Sequence, residues 1–358
     1  MTAHIAGLGW VTPLGTGLEE VFARIKNGDV AEVKTLVNPE TGRALSYIPV
    51  PMKLVEALGR NPRLRRASAI SYFGVAAGLA ALADAGIEMT PELAARTAVV
   101  FAIANGGVIY TRKFYDQIVK QGANAASPAL FPDTVYNAPA SHLAALLGID
   151  GASYTLVGDA SVGLAALKFA EQLLDTSDLA QVVVVGSEEV DWVLCAAYRE
   201  WRLARGADAG AHGALLAEGA AAVVLAREGR TKIAALHDGV SVFRRAEAAA
   251  ALARVFADLV RGCAVDVVIG GANGTFADRA ERAAIARHCP NAAAYFPKRA
   301  FGEALGASAL MQVIVGAIAL AKGEIPGGGP GGGGLQTALV STLGFNQQAG
   351  GLVLARGG

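Results

Sequence analysis

The stretch Tyr154-Thr155-Leu156-Val157-Gly158-Asp159-Ala160-Ser161-Val162-Gly163-Leu164-Ala165-Ala166-Leu167 runs from a β-branched, apolar strand through a tight turn into a helix built on Ala and Leu. Strand, sharp turn and helix in that order form a nucleophile elbow, which displays a reactive side chain where the helix begins. The unpaired N–H groups and partial positive charge of a helix N-terminus lower a thiol's pKa and hold a developing oxyanion. Here the elbow carries Ala160. A methyl group has no lone pair with which to attack an acyl carbon.

The rest of the chain alternates in type around this elbow. Helices are expected over 67–84, 160–174, 248–261 and 307–321, and short apolar strands over 98–104, 182–186, 220–225 and 265–270. Alternation of this kind implies α/β layering, and strands without polar positions imply a sheet covered on both faces. The segments Glu218-Gly-Ala-Ala-Ala-Val-Val-Leu-Ala-Arg227 and Gln348-Ala-Gly-Gly-Leu-Val-Leu-Ala-Arg356 are near-copies. They imply two similar halves with a boundary near Arg227 to Thr231.

Six ordered landmarks resemble those of the β-ketoacyl synthases of the thiolase-fold superfamily. Ala6-Gly7-Leu8-Gly9-Trp10-Val11-Thr12-Pro13-Leu14-Gly15 is similar to the family's opening strand and turn, and Leu79-Ala80-Ala81-Leu82-Ala83-Asp84-Ala85-Gly86 to its A-L-x-D-A-G helix end. Phe131-Pro132-Asp133-Thr134-Val135-Tyr136-Asn137 resembles the segment that approaches the active site and dimer interface. Glu218-Gly219-Ala220-Ala221 resembles the strand closing the N-terminal half. Lys298 with Phe301-Gly302-Glu303-Ala304-Leu305-Gly306-Ala307-Ser308 resembles K-S-x-x-G-H-x-x-G-A-A, and Ser341-Thr342-Leu343-Gly344-Phe345 a late loop that departs from the family at Asn346-Gln347-Gln348. The resemblance implies a thiolase-like α/β fold, with two similar α/β halves (1–228 and 229–358) in a five-layer αβαβα arrangement.

The same resemblance places the family's cysteine on Ala160, its first histidine on Asn273 and its second on Glu303, with Lys298 retained. Condensation by this family needs a thiolate to accept the acyl chain, and imidazoles to assist decarboxylation and donate to the enolate. Asn273 can donate a hydrogen bond but transfers no proton near neutral pH, and an ionised Glu303 opposes an enolate. Asp159 and Ser161 flank Ala160 and are weighed as replacement nucleophiles. The plainer reading makes Asp159 the helix N-cap and puts Ser161 in the first turn. A Gly-x-Ser-x-Gly hydrolase elbow would need glycine at 159.

Composition fits an enzyme-like core: 358 residues, 53% hydrophobic, 17% charged, formal net charge zero. No basic run points to nucleic acid, no signal pattern opens the chain, and the 307–321 helix is too short to span a bilayer. Cys195, Cys263 and Cys289 have no paired spacing, which suits the reducing cytoplasm, and Cys195 reads as apolar filler. The five histidines (His4, His142, His212, His237 and His288) match no metal spacing, and no cofactor is expected. The glycine run 327–334 lacks a following Lys-Ser/Thr and reads as a surface connector. Gly7-x-Gly9 lacks the third glycine of a dinucleotide fingerprint.

A synthase body without its triad resembles the chain-length factors of type II polyketide and aryl-polyene systems. That resemblance implies a heterodimer with an active ketosynthase, and an acyl carrier protein as a further partner. Tyr110, Phe114, Tyr136, Asn137 and Phe345 are then candidates for tunnel and interface, against the alternative that they are ordinary packing. Two other readings are open: a homodimeric acyltransferase or hydrolase acting through Asp159, Ser161 or Glu303, and a decarboxylase that has lost only its nucleophile, which is weakened by the lost histidines.

Overall fold

The computed structural model describes residues 3–205, 212–327, 334–345 and 348–357. Among them, the main sheet has eleven strands: β1 (His4–Val11), β2 (Thr97–Ile103), β3 (Ser153–Val157), β4 (Gln181–Glu188), β5 (Gly219–Ala226), β6 (Thr231–Leu236), β7 (Val240–Ser241), β8 (Val267–Ile269), β9 (Ala293–Tyr295), β10 (Thr337–Leu343) and β11 (Gln348–Arg356). Their spatial order is β9-β8-β10-β11-β6-β1-β5-β4-β2-β3, with β7 pairing β11. Counted outward from the middle, β1-β5-β4-β2-β3 repeats as β6-β11-β10-β8-β9. The directions repeat as well: the first two steps are antiparallel and the last two parallel in both series. The near-copied segments are β5 and β11, the second strand of each series. β1 and β6 join the two series through His4 and Ile5, opposite Lys232 and Thr231.

Six helices make the layers: α1 (Ala69–Asp84), α2 (Ala138–Leu147), α3 (Val162–Thr176), α4 (Ala248–Leu259), α5 (Ala277–His288) and α6 (Ser308–Lys322). The helices α1 and α2 cover one outer face, and α4 and α5 the other. Between the two halves of the sheet lie α3, against β4 and β2, and α6, against β10, β11 and β5. This is the five-layer αβαβα, thiolase-like arrangement. Period-two alternation explains it, because successive strand side chains point to opposite faces. Val182 and Val184 enter the central core while Val183 and Val185 enter the outer one; Ile269 and Val340 face the centre while Val268 and Leu339 face α4 and α5.

Two glycines in β1 set how closely the outer layer approaches. A Cβ on Gly7 would lie 2.1 Å from the Ala81 carbonyl oxygen, and one on Gly9 2.3 Å from that of Ala77. With its preceding turn, α6 spans Leu305–Lys322, so length alone does not exclude a bilayer as the sequence reading held. Burial does. Every residue of Ser308–Leu320 is buried between the two halves of the sheet, which makes α6 a central core helix.

Candidate functional site

At the elbow, β3 ends at Val157 and α3 begins at Val162, two residues later than expected. Ala160 sits in the turn between them, 1% exposed. Ser161, not Asp159, occupies the N-cap position, and neither side chain caps the helix in the usual way. The Ser161 hydroxyl donates to the Gln348 carbonyl at 2.8 Å and lies 2.9 Å from Thr342 Oγ1, so it ties the elbow to the other half. Asp159 Oδ1 accepts from the Ser161 N–H at 3.4 Å. Its carboxylate packs on Gly344, where a Cβ would lie 2.0 Å from Oδ1.

The three other residues that the resemblance singles out converge. Lys298 Nζ donates to Glu303 Oε2 at 2.7 Å, with side-chain exposures of 3% and 0%. Asn273 Nδ2 donates to the same oxygen at 2.7 Å. The other oxygen accepts from Ser308 Oγ at 2.6 Å and from the Leu305 N–H at 3.2 Å. Leu305 stands at φ 35°, a left-handed position unusual for a branched residue, and this bond helps hold it there. Asn273 is itself fixed, its Oδ1 accepting from Thr275 Oγ1 at 2.6 Å and its N–H donating to Asp278 at 2.8 Å. Glu303 is therefore no free acceptor: four donors converge on its carboxyl, and Lys298 balances its charge.

Three buried carboxyls underpin the site, and sequence reasoning passed over Glu188 and Glu189. Glu188 accepts from the N–H groups of Ala104, Asn105 and Gly306 and from Asn105 Nδ2, joining loops of both halves. Glu189 accepts from Ile70 and Ile109, and Glu218 from Val50 and Val190. Burial pushes each up to about 7, against the pull of these N–H donors. The signal was available: two consecutive acids end an otherwise apolar strand, where ionised groups are costly unless hydrogen-bonded.

Above the elbow lies a cavity of about 440 Å³ lined by Val157, Gly158, Asp159, Tyr198, Trp201, Leu203 and Phe345. Tyr198 packs on Trp201 and on Phe345, each with ring centroids 5.5 Å apart. Burial, then the charges of Glu188 and Asp159, raise the Tyr198 phenol above its ordinary value. Of the expected tunnel residues, Phe345 lines this cavity and Tyr110, Phe114, Tyr136 and Asn137 do not. Tyr110 and Phe114 lie on the Val108–Gln121 helix, which has no buried residue, and Phe114 packs on Phe131. Tyr136 and Asn137 are exposed. This helix is tied down by polar contacts: Arg112 bonds both oxygens of Asp191, and the Ile109 N–H meets Glu189.

The cysteines remain free, and burial pushes Cys195 up to about 12, consistent with apolar packing. His142 pairs with buried Asp133 at 3.3 Å. Among the described residues no group of three or more potential ligands could hold a metal. Asn346, Gln347 and most of the glycine run lie outside the described residues.

Residues 4–230 match the family model "Beta-ketoacyl synthase, N-terminal domain". The chain is 25% identical over 190 residues to a 3-oxoacyl-[acyl-carrier-protein] synthase 2 of Vibrio harveyi, covering 52% of this chain and 45% of that protein. It is 25% identical over 240 residues to the same-named protein of Coxiella burnetii, covering 62% and 56%. The chain thus matches only about half the length of these curated relatives. Among solved structures, a β-ketoacyl synthase from Burkholderia phymatum superposes with a TM-score of 0.81 at 18% identity, covering 99% of both chains. The ishigamide ketosynthase/chain length factor gives 0.80 at 20% identity, covering 100% of both. The sequence match and the duplicated fold agree: this chain belongs to the β-ketoacyl synthase family.

Proposed function

We propose that this chain is a non-condensing, chain-length-factor-like subunit that pairs with an active ketosynthase in type II fatty-acid, polyketide or aryl-polyene-type biosynthesis. The observation that carries this reading is the set Ala160, Asn273, Glu303 and Lys298. Ala160 offers no nucleophile at the elbow, and Lys298, the lysine matched to the family, is paired with Glu303. Neither step of a condensation then has its proton carrier. The homodimeric acyltransferase or hydrolase reading is disfavoured by the same contacts, since Ser161 and Glu303 have their hydrogen-bonding capacity engaged.

The partner part of the reading is supported by an exposed apolar surface. Tyr115, Val119, Phe131, Val135 and Tyr136 stand out from the Val108–Gln121 helix and the loop after it, and Tyr154 and Val157 from the edge strand β3. Uncovered apolar side chains of this size mark interaction surfaces when they form a contiguous patch. The ishigamide ketosynthase/chain length factor supports the pairing by analogy, and AntDE:AntF, a type II acyl carrier protein in complex with its ketosynthase, supports a carrier as the second partner. The three free thiols suit the cytoplasm, which is part of the proposal.

Co-expression with a synthase that keeps its cysteine and two histidines tests the pairing. A stable 1:1 heterodimer that elongates acyl chains only when both subunits are present is expected. A strictly monomeric or self-paired chain in the presence of that synthase overturns it.

A further inference from the structure

A second cavity, of about 390 Å³, opens between a small hairpin and a helix. The hairpin pairs Lys34–Val37 with Ala44–Ile48, and the helix is Trp192–Glu200. It shares no lining residue with the cavity over the elbow. We propose that this second cavity binds a small organic carboxylate, with Asn38 and Arg43 holding the charged end. Both line it from the turn of the hairpin.

Asn38 is 7% exposed, and only half of its amide is used. Its Oδ1 accepts from the N–H groups of Glu40 at 2.9 Å and Thr41 at 3.2 Å, which folds the turn. Its Nδ2 donates to nothing among the described residues, and it is not sealed away from solvent. A donor held in this way, inside a cavity and without an acceptor, calls for one. Arg43 is exposed, and its guanidinium has no hydrogen bond or ion pair among the described residues. Its fork of N–H donors matches the two oxygens of a carboxylate. The hydroxyl of Thr41, another lining residue, accepts from the Arg43 N–H at 3.4 Å, which leaves its own O–H to donate. Beneath these donors, buried Leu45 and half-buried Ala196 give apolar surface for a short hydrocarbon body. Arg199 Nη1 donates to the Ala44 carbonyl at 3.1 Å, so the helix wall is tied to the hairpin wall. Glu200, the acidic lining residue, repels a dianion such as phosphate more than a singly charged carboxylate.

The probes are hexanoate, hexan-1-ol and inorganic phosphate, and the purified chain alone is sufficient, so the proposal does not depend on the partner reading. Binding is followed by calorimetry and by ligand-observed NMR. Hexanoate is expected to bind at least about tenfold more tightly than the alcohol or phosphate, as charge-assisted hydrogen bonds imply. Asn38→Asp keeps the oxygen that folds the turn and exchanges the free donor for a negative charge, so it should abolish hexanoate binding in a folded chain. Arg43→Gln, at an exposed position and so tolerant of change, should lower hexanoate affinity about tenfold while leaving the alcohol unchanged. Absence of hexanoate binding, equal binding of the alcohol, preferred binding of phosphate, or retained hexanoate affinity in a folded Asn38→Asp or Arg43→Gln chain would each overturn the proposal.

Discussion

The Lys298 ammonium and the Glu303 carboxyl lie 2.7 Å apart with both side chains almost wholly withdrawn from solvent. Each makes the other tolerable in the interior, since removing one partner strands a buried charge. Glu303→Gln and Lys298→Met should each destabilise the chain by about 3–5 kcal/mol. The double variant should lose clearly less than the sum of the two. A double-mutant cycle by urea unfolding reads the difference, and additive losses would show the pair is not coupled.

Restoring a thiol should not restore condensation. Ala160→Cys would place a nucleophile at the N-terminal end of α3, where backbone N–H groups favour a thiolate. Asn273 and Glu303, the residues that the resemblance matches to the family's histidines, would still supply no imidazole. Incubated with an acyl thioester and a malonyl donor, this variant should show an acyl adduct by intact mass and no elongated product. An elongated product would mean that proton transfer is supplied from elsewhere.

Gly344 should be far less replaceable than Gly151. A Cβ at 344 would lie 2.0 Å from Asp159 Oδ1 and 2.4 Å from its Cγ, whereas one at 151 would meet nothing within 4 Å. Overpacking of this kind costs about 1–3 kcal/mol, while an open surface site changes by about 0.5 kcal/mol or less. Thermal unfolding of Gly344→Ala and Gly151→Ala checks this, and equal melting temperatures would contradict the packing of Asp159.

Stability should fall as pH rises from about 5 to about 7. Burial raises Glu188, Glu189 and Glu218 from 4.5 to about 7 in the folded chain. Between those values the folded state holds protons that the unfolded state has released, so unfolding gains as pH rises. The stabilisation is fully present below 4.5 and lost as pH passes about 7. Each group adds a slope of about 1.4 kcal/mol per pH unit in that window. Urea midpoints at pH 5.5, 6.5 and 7.5 should decline in order, and a rise would contradict the buried placement of these acids.

The fold was legible because its signals are long and redundant. All-apolar strands such as Val182–Val185 and the copied segments in β5 and β11 each pointed to a duplicated, covered sheet. The resemblance singled out Asn273, Lys298 and Glu303, and these three side chains meet in the structure. What was missed depends on non-local partners. Asp159 followed by Ser161 reads as a cap and a first turn, but Thr342 and Gln348, almost two hundred residues away, claim the serine hydroxyl and shift the helix start. Glu188 and Glu189 look like a solvated strand end until the donors from Ala104, Ile70 and Gly306 close over them. Tyr110 and Phe114 lie on a helix without buried residues that Arg112 ties to Asp191, a placement that no local pattern in the sequence announces.

The central claim is that this chain shapes a ketosynthase site without being able to run one. Mass-spectrometric analysis of the purified chain alone, given acyl- and malonyl-loaded carrier protein, tests it most directly. The expected spectrum shows an unmodified polypeptide and no lengthened acyl chain. A two-carbon-extended product formed by this chain without another synthase would contradict it.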